Sequence, residues 1–307
     1  MRVLGLRILV LVSLAISGFV QIGCQTAPTV ARENPERKLE GAERLLAPVR
    51  VTPETVVVDA RPQFEYSVAH IPRSINLQWQ EFTERETAQR GILQNDLFGI
   101  TRRLARFGVD PSSHVVVVGQ GFKGIGEEGR IAWMLAYLGV QNVQFSDIDA
   151  LKARFTNNVD EGSAKAKAIW KPEPVESLNV TRDEVLFAVN NKGMFQPIKY
   201  DNAEAPVLYR VIDVRTAREY LGRGSRKNVP NIEAINIPWQ EFFDSSLRVR
   251  SDIGEKLKTV GILPEHRIIV MDNDGVSSAA CTMALRALGF SKAGNYAGGW
   301  NDLLSRF

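Results

Sequence analysis

A stretch of eight residues occurs twice in this chain, and that repetition constrains its fold more than any other feature. Ile75-Asn76-Leu77-Gln78-Trp79-Gln80-Glu81-Phe82 returns as Ile235-Asn236-Ile237-Pro238-Trp239-Gln240-Glu241-Phe242. Val57-Val58-Asp59-Ala60-Arg61 matches Val211-Ile212-Asp213-Val214-Arg215, and Glu65-Tyr66 matches Glu219-Tyr220. Leu138-Gly139 matches Leu288-Gly289, each closing an apolar helical stretch. The copies lie roughly 150–160 residues apart, which is the size of a domain, so a whole domain has been duplicated rather than a short solenoid unit. A chain of 307 residues has room for two such domains.

Each copy alternates strand and helix. Thr55–Val58 and His114–Val118 read as short buried strands, and Leu97, Ile100, Leu104 and Phe107 between them follow the helical period. The second copy repeats the order with Leu208–Ile212, then Ile253, Leu257 and Val260, then Arg267–Met271. Continuous apolar strands alternating with helices predict α/β domains, each an open parallel sheet with helices on both faces. Ligands of such sheets bind at the carboxyl ends of the strands, which directs attention to the loops after Val118 and Met271.

The N-terminus reads as an address. Met1–Arg7 is short and basic, and the apolar run Ile8–Val20 is too short to span a bilayer. Gly23-Cys24 then resembles a bacterial lipobox, with Gln21 where an aliphatic residue is usual. The expected boundaries are a signal peptide over 1–23, a polar tether over 24–50, domains over 51–155 and 178–307, and a linker over 156–177. The expected location is the bacterial cell envelope, with a lipid anchor on Cys24 holding the chain to a membrane. A soluble periplasmic or secreted protein is the alternative. Without Arg2 and Arg7 the chain has 36 basic and 35 acidic residues, a balance that gives no electrostatic reason to expect nucleic-acid binding. Two cysteines and three histidines do not suggest a disulfide framework or a metal site, and no cofactor is expected.

Strand-Asp-x-Arg, Glu-Tyr, and His70-Ile71-Pro72 leading into Ile75-Asn76 resemble the first half of a rhodanese-like domain. The second half is matched by Ile268-Ile269-Val270-Met271, a tight loop, Leu288-Gly289-Phe290, and Gly298-Gly299-Trp300. Two copies in tandem are similar to thiosulfate and 3-mercaptopyruvate sulfurtransferases. The resemblance implies that a cysteine at the first loop position after the central strand would carry sulfur as a persulfide, in a cradle of backbone N–H groups.

Neither copy has that cysteine. The second loop is Asp272-Asn273-Asp274-Gly275-Val276-Ser277-Ser278, with Asp272 in the nucleophile's place, and the first opens with Gly119. An aspartate in an anion cradle can accept the N–H bonds itself but cannot carry sulfur. Cys281 lies too far along the following helix for a first-turn nucleophile and reads as a buried apolar residue. Gly119-x-Gly121-x-x-Gly124 follows the wrong strand for a dinucleotide fingerprint and reads as a turn, beside which Lys123 and Arg130 could hold an anion. Asp59 with Arg61, and Asp213 with Arg215, read as structural ion pairs, and His70 as a turn residue. The leading expectation is an exported, catalytically inactive member of this family that binds an anion or a protein partner. An active thiosulfate or 3-mercaptopyruvate sulfurtransferase is the alternative, and phosphatase-like chemistry is a more distant third.

Overall fold

Two four-stranded parallel sheets, one per repeat, carry the whole arrangement. In the first, β1 (Val56–Asp59), β2 (Ile75–Asn76), β3 (His114–Gly119) and β4 (Asn142–Asp147) stand in the order β2-β1-β3-β4. In the second, β5 (Tyr209–Asp213), β6 (Ala234–Asn236), β7 (Arg267–Met271) and β8 (Ala293–Asn295) stand in the order β6-β5-β7-β8. This computed structural model describes residues 42–151, 155–157, 165–190, 208–222 and 232–305. The expected signal peptide, Cys24 and most of the tether lie outside the described residues.

The valine run of β3 shows why the sheet needs cover on both sides. Successive side chains point to opposite faces, so Val115 and Val117 enter one apolar cluster while Val116 and Val118 enter another. Strand β7 does the same, with Ile268 and Val270 on one side and Ile269 and Met271 on the other. Helices α1 (Gln63–Val68), α2 (Leu97–Arg106) and α3 (Glu127–Leu138) belong to the first repeat. Helices α4 (Arg182–Asn190), α5 (Ala217–Leu221), α6 (Asp252–Thr259), α7 (Ser277–Ala287) and α8 (Gly299–Leu304) belong to the second. Asp96 caps α2 by accepting from the Gly99 N–H at 2.8 Å, and Ile100 and Leu104 on its apolar stripe are buried.

The repeats share one core. A single apolar cluster runs from Val58, Val117 and Trp133 of the first into Ile212, Val270 and Leu285 of the second. Helices α3 and α7 cross at its centre, where Gly129 lies so close to Ala280 that a β-carbon on Gly129 would overlap it. The end of the expected tether also departs from a free chain. Leu45 is buried, its carbonyl accepts from the Val249 N–H at 3.0 Å, and the Arg44 carbonyl accepts from Gln144 Nε2 at 2.9 Å. Likewise the expected linker is partly docked: Trp170 Nε1 donates to the Val109 carbonyl at 3.0 Å and Lys167 pairs with Asp110.

Candidate functional site

Sheet register fixes which loop positions correspond. Val118 pairs with Asp59 and Met271 with Asp213, so the next residues, Gly119 and Asp272, occupy equivalent places at the carboxyl ends of the central strands. Asp272 opens the turn into α7 and folds its carboxylate back under that helix. Oδ1 accepts from the N–H groups of Asp274 (3.1 Å) and Gly275 (2.5 Å), and Oδ2 from the N–H of Ser278 (3.1 Å). Ser278 Oγ lies 3.1 Å from Oδ1 but 2.6 Å from Asn295 Oδ1, and its single proton serves only one of them. The N–H donors of the loop are thus spent on a side chain of the loop itself.

Burial sets the electrostatics. Asp272 is 5% exposed, and burial together with the adjacent charge of Asp274 pushes its carboxyl up to about 6, against the pull of the N–H donors. Asp274 pairs with Arg90, whose Nε donates to Oδ2 at 2.9 Å. Arg130 on α3 lies buried over the Trp133 ring, 4.6 Å from its centroid, and donates to the carbonyls of Gly275 (3.3 Å) and Gly91. Burial pulls its guanidinium down to about 10, opposed by Asp272 and Asp274. Ser277 Oγ completes the cross-repeat contacts, donating to the Ile125 carbonyl at 2.7 Å.

These positions correct the anion sites expected from sequence. Arg130 does not serve the first loop: its helix turns it onto the second repeat, where its hydrogen bonds go to carbonyl oxygens. Lys123 stays at the surface in an ion pair with Asp149 at 2.8 Å. In the second loop the N–H groups of Asp274, Gly275 and Ser278 already hold Asp272.

The first repeat fills the equivalent place by a different route. Gly119 has no side chain, and the Glu128 carboxyl lies where one would be; a β-carbon on Gly119 would overlap it. Glu128 is fully buried and neither oxygen has a hydrogen-bond partner. Burial, with like charge from Glu127 and Asp147, pushes its carboxyl up to about 8, so it holds its proton at neutral pH. Aligning Leu138-Gly139 with Leu288-Gly289 places Glu128 on Ser278, while the strands place Gly119 on Asp272. Acidic and small residues have therefore exchanged places between the repeats, and that exchange is the sequence signal that identifies Glu128. Arg90 carries no comparable signal.

The remaining expected residues have structural partners. Arg61 and Arg215 form paired hydrogen bonds with Asp59 and Asp213, and Trp300 Nε1 also donates to Asp213 at 3.0 Å. Asn273 links Arg215 to Glu219, accepting from Arg215 Nη1 at 3.4 Å and donating to Glu219 Oε1 at 2.9 Å. His70 stacks on Tyr66 with its Nδ1 2.9 Å from the Tyr66 carbonyl. Val276 is buried at the start of α7. Cys281 is buried as a free thiol in α7, 4.0 Å from the Trp239 carbonyl, and burial pushes the thiol well above its usual range. Among the described residues no group of three acidic, histidine or cysteine side chains could hold a metal, and no helix is long and apolar enough to cross a membrane.

Comparison with known proteins gives the same division. A family model described as "Rhodanese-like domain" matches residues 42–147 and again 199–306. A thiosulfate sulfurtransferase of Pseudomonas aeruginosa is 26% identical over 268 residues, covering 84% of this chain and 90% of the relative. The mitochondrial thiosulfate/3-mercaptopyruvate sulfurtransferase 1 of Arabidopsis thaliana is 25% identical over 260 residues, covering 78% of this chain and 67% of the relative. The crystal structure of the 3-mercaptopyruvate sulfurtransferase of Escherichia coli superposes with a TM-score of 0.63 at 19% identity, covering 81% of this chain and 93% of that one.

Proposed function

The chain belongs to the rhodanese-like domain family, and from that premise we propose that it is an exported member that does not transfer sulfur and serves as a partner-binding protein of the bacterial cell envelope. The observation that carries this reading is Asp272. The sulfur chemistry implied by the family resemblance needs a nucleophile at the first position of the loop, and a carboxylate there lacks a thiolate's combination of nucleophile and leaving group. It also takes the N–H groups that would stabilise a persulfide. The first repeat offers no substitute, since Gly119 brings no side chain and Glu128 closes the space. Cys281 is a poor replacement: its thiol is fully buried and held protonated.

Turnover tests the reading. Mature protein given thiosulfate or 3-mercaptopyruvate, with cyanide as acceptor, is expected to form no thiocyanate above the blank. Turnover abolished by Cys281→Ser would overturn it in favour of an active sulfurtransferase. The envelope location rests on the basic and apolar segment before Cys24. Palmitate labelling lost in Cys24→Ala is the expected result, whereas an unlabelled, freely soluble wild-type protein would remove the anchor.

A further inference from the structure

Glu128 is a costly thing to build into a core. A buried carboxyl without hydrogen bonds has left water and gained no partner, so a fold retains it only against a penalty. The space it fills exists because residue 119 is glycine. The loop 120–126 runs from Gly119 to the start of α3 at Glu127, and its Phe122, Lys123 and Ile125 are exposed. That loop is three residues longer than its counterpart in the second repeat, measured from Gly119 to Glu128 against Asp272 to Ser278. It also reaches the second repeat. Phe122 meets Trp239 edge to face with centroids 5.4 Å apart, and the Ile125 carbonyl accepts from Ser277.

The charges around Glu128 favour its staying neutral. Glu127 on its own helix and Asp147 at the end of β4 both bear on it with negative charge. Of the cations nearby, Lys123 on the loop is taken by Asp149, Arg61 beyond β1 by Asp59 and Glu65, and Arg130 faces the second repeat. From α7, Ser277 and Ala280 pack against Gly126 and Gly129 on either side of Glu128 and carry no charge. Across the seam Arg90 and Arg130 already balance Asp274 and Asp272, so an ionised Glu128 would be a charge in excess.

We propose that Glu128 is a proton-gated plug: protonated, its carboxyl fills the space over Gly119 and keeps loop 120–126 seated on the second repeat; ionised, it leaves that space and the loop comes off Trp239 and Ser277. The proton goes to solvent and no bond other than O–H is made or broken. The gate is a property of the first repeat alone and holds whether or not the protein transfers sulfur.

Hydrogen exchange across pH tests it. The amides of Lys123 and Gly124, which donate to the carbonyls of Gln120 and Gly121, report on the loop. After correction for the intrinsic pH dependence of exchange, their rates in the wild-type chain should rise by about tenfold or more through a midpoint near pH 8. Glu128→Gln keeps the shape and cannot ionise, so its loop should stay protected at every pH. Trp239 emission should change over the same range in the wild-type chain and not in Glu128→Gln. Gly119→Ala puts a methyl group in the plug's space and should free the loop already at low pH. No transition in the wild-type chain, or the same transition in Glu128→Gln, would overturn the proposal; the first of these needs no variant to fold.

Discussion

Two carboxyl groups sit at the equivalent places of the two repeats, and they are held in opposite ways. Asp272 lies among N–H donors beside a second acid, while the buried oxygens of Glu128 have no hydrogen-bond partner. In both, burial outweighs what favours the charge, so the folded chain binds the proton more tightly than the unfolded chain does. The sign of the consequence is fixed. Stability falls as pH rises, from the ordinary value of 3.8 through about 6 for Asp272, and from 4.5 through about 8 for Glu128. Above pH 6, therefore, the slope remaining from this pair belongs to Glu128, at up to about 1.4 kcal/mol per pH unit. Urea unfolding of the wild-type chain and Glu128→Gln, compared between about pH 6 and about pH 8, should show that slope in the first and its loss in the second. Parallel curves would contradict the buried, protonated carboxyl.

At the scale of elements, helices α3 and α7 decide how the cradles face each other. They cross without side-chain spacers, Gly129 against Ala280, and the N-terminal turn of each helix meets the other repeat. Gly129→Val would push branched carbon into the backbone of α7 and should cost about 1–3 kcal/mol of stability in thermal or urea unfolding. An unchanged midpoint would mean that the crossing can slide. The strands were legible in sequence because their signal is local. Arg267–Met271 is bounded as expected, and the unbroken Val115–Val118 run is buried on both faces as continuous apolar strands require. The Asp59–Arg61 and Asp213–Arg215 pairs were legible for the same reason, being two residues apart. Arg130 was not: its sequence neighbours mark a helix start, but the direction in which that helix points its side chain depends on a second domain. Glu128 was hidden by the longer loop before it, which breaks the alignment of the two cradles at the place where the acid moved.

The whole molecule is two copies closed on each other by a shared core and a polar seam. Arg90 and Arg130 of the first repeat and Asp272 and Asp274 of the second make a balanced set of four charges across that seam, all buried but Arg90. Removing one member leaves others unpaired. Arg130→Met, which keeps the length of the side chain without its charge, should cost about 3–5 kcal/mol, because two carbonyls lose their donor and Asp272 and Asp274 lose a nearby buried positive charge. Calorimetry showing full stability in that variant would mean that solvent reaches the seam. The proposed absence of sulfur transfer rests on this arrangement: the second cradle is filled by its own aspartate, with Arg90 and Arg130 of the first repeat against it. The intact mass of the purified wild-type chain after incubation with thiosulfate or 3-mercaptopyruvate tests that central claim most directly. A mass unchanged by either donor is the predicted result. A reductant-sensitive gain of one sulfur atom, mapped to Cys281, would contradict it.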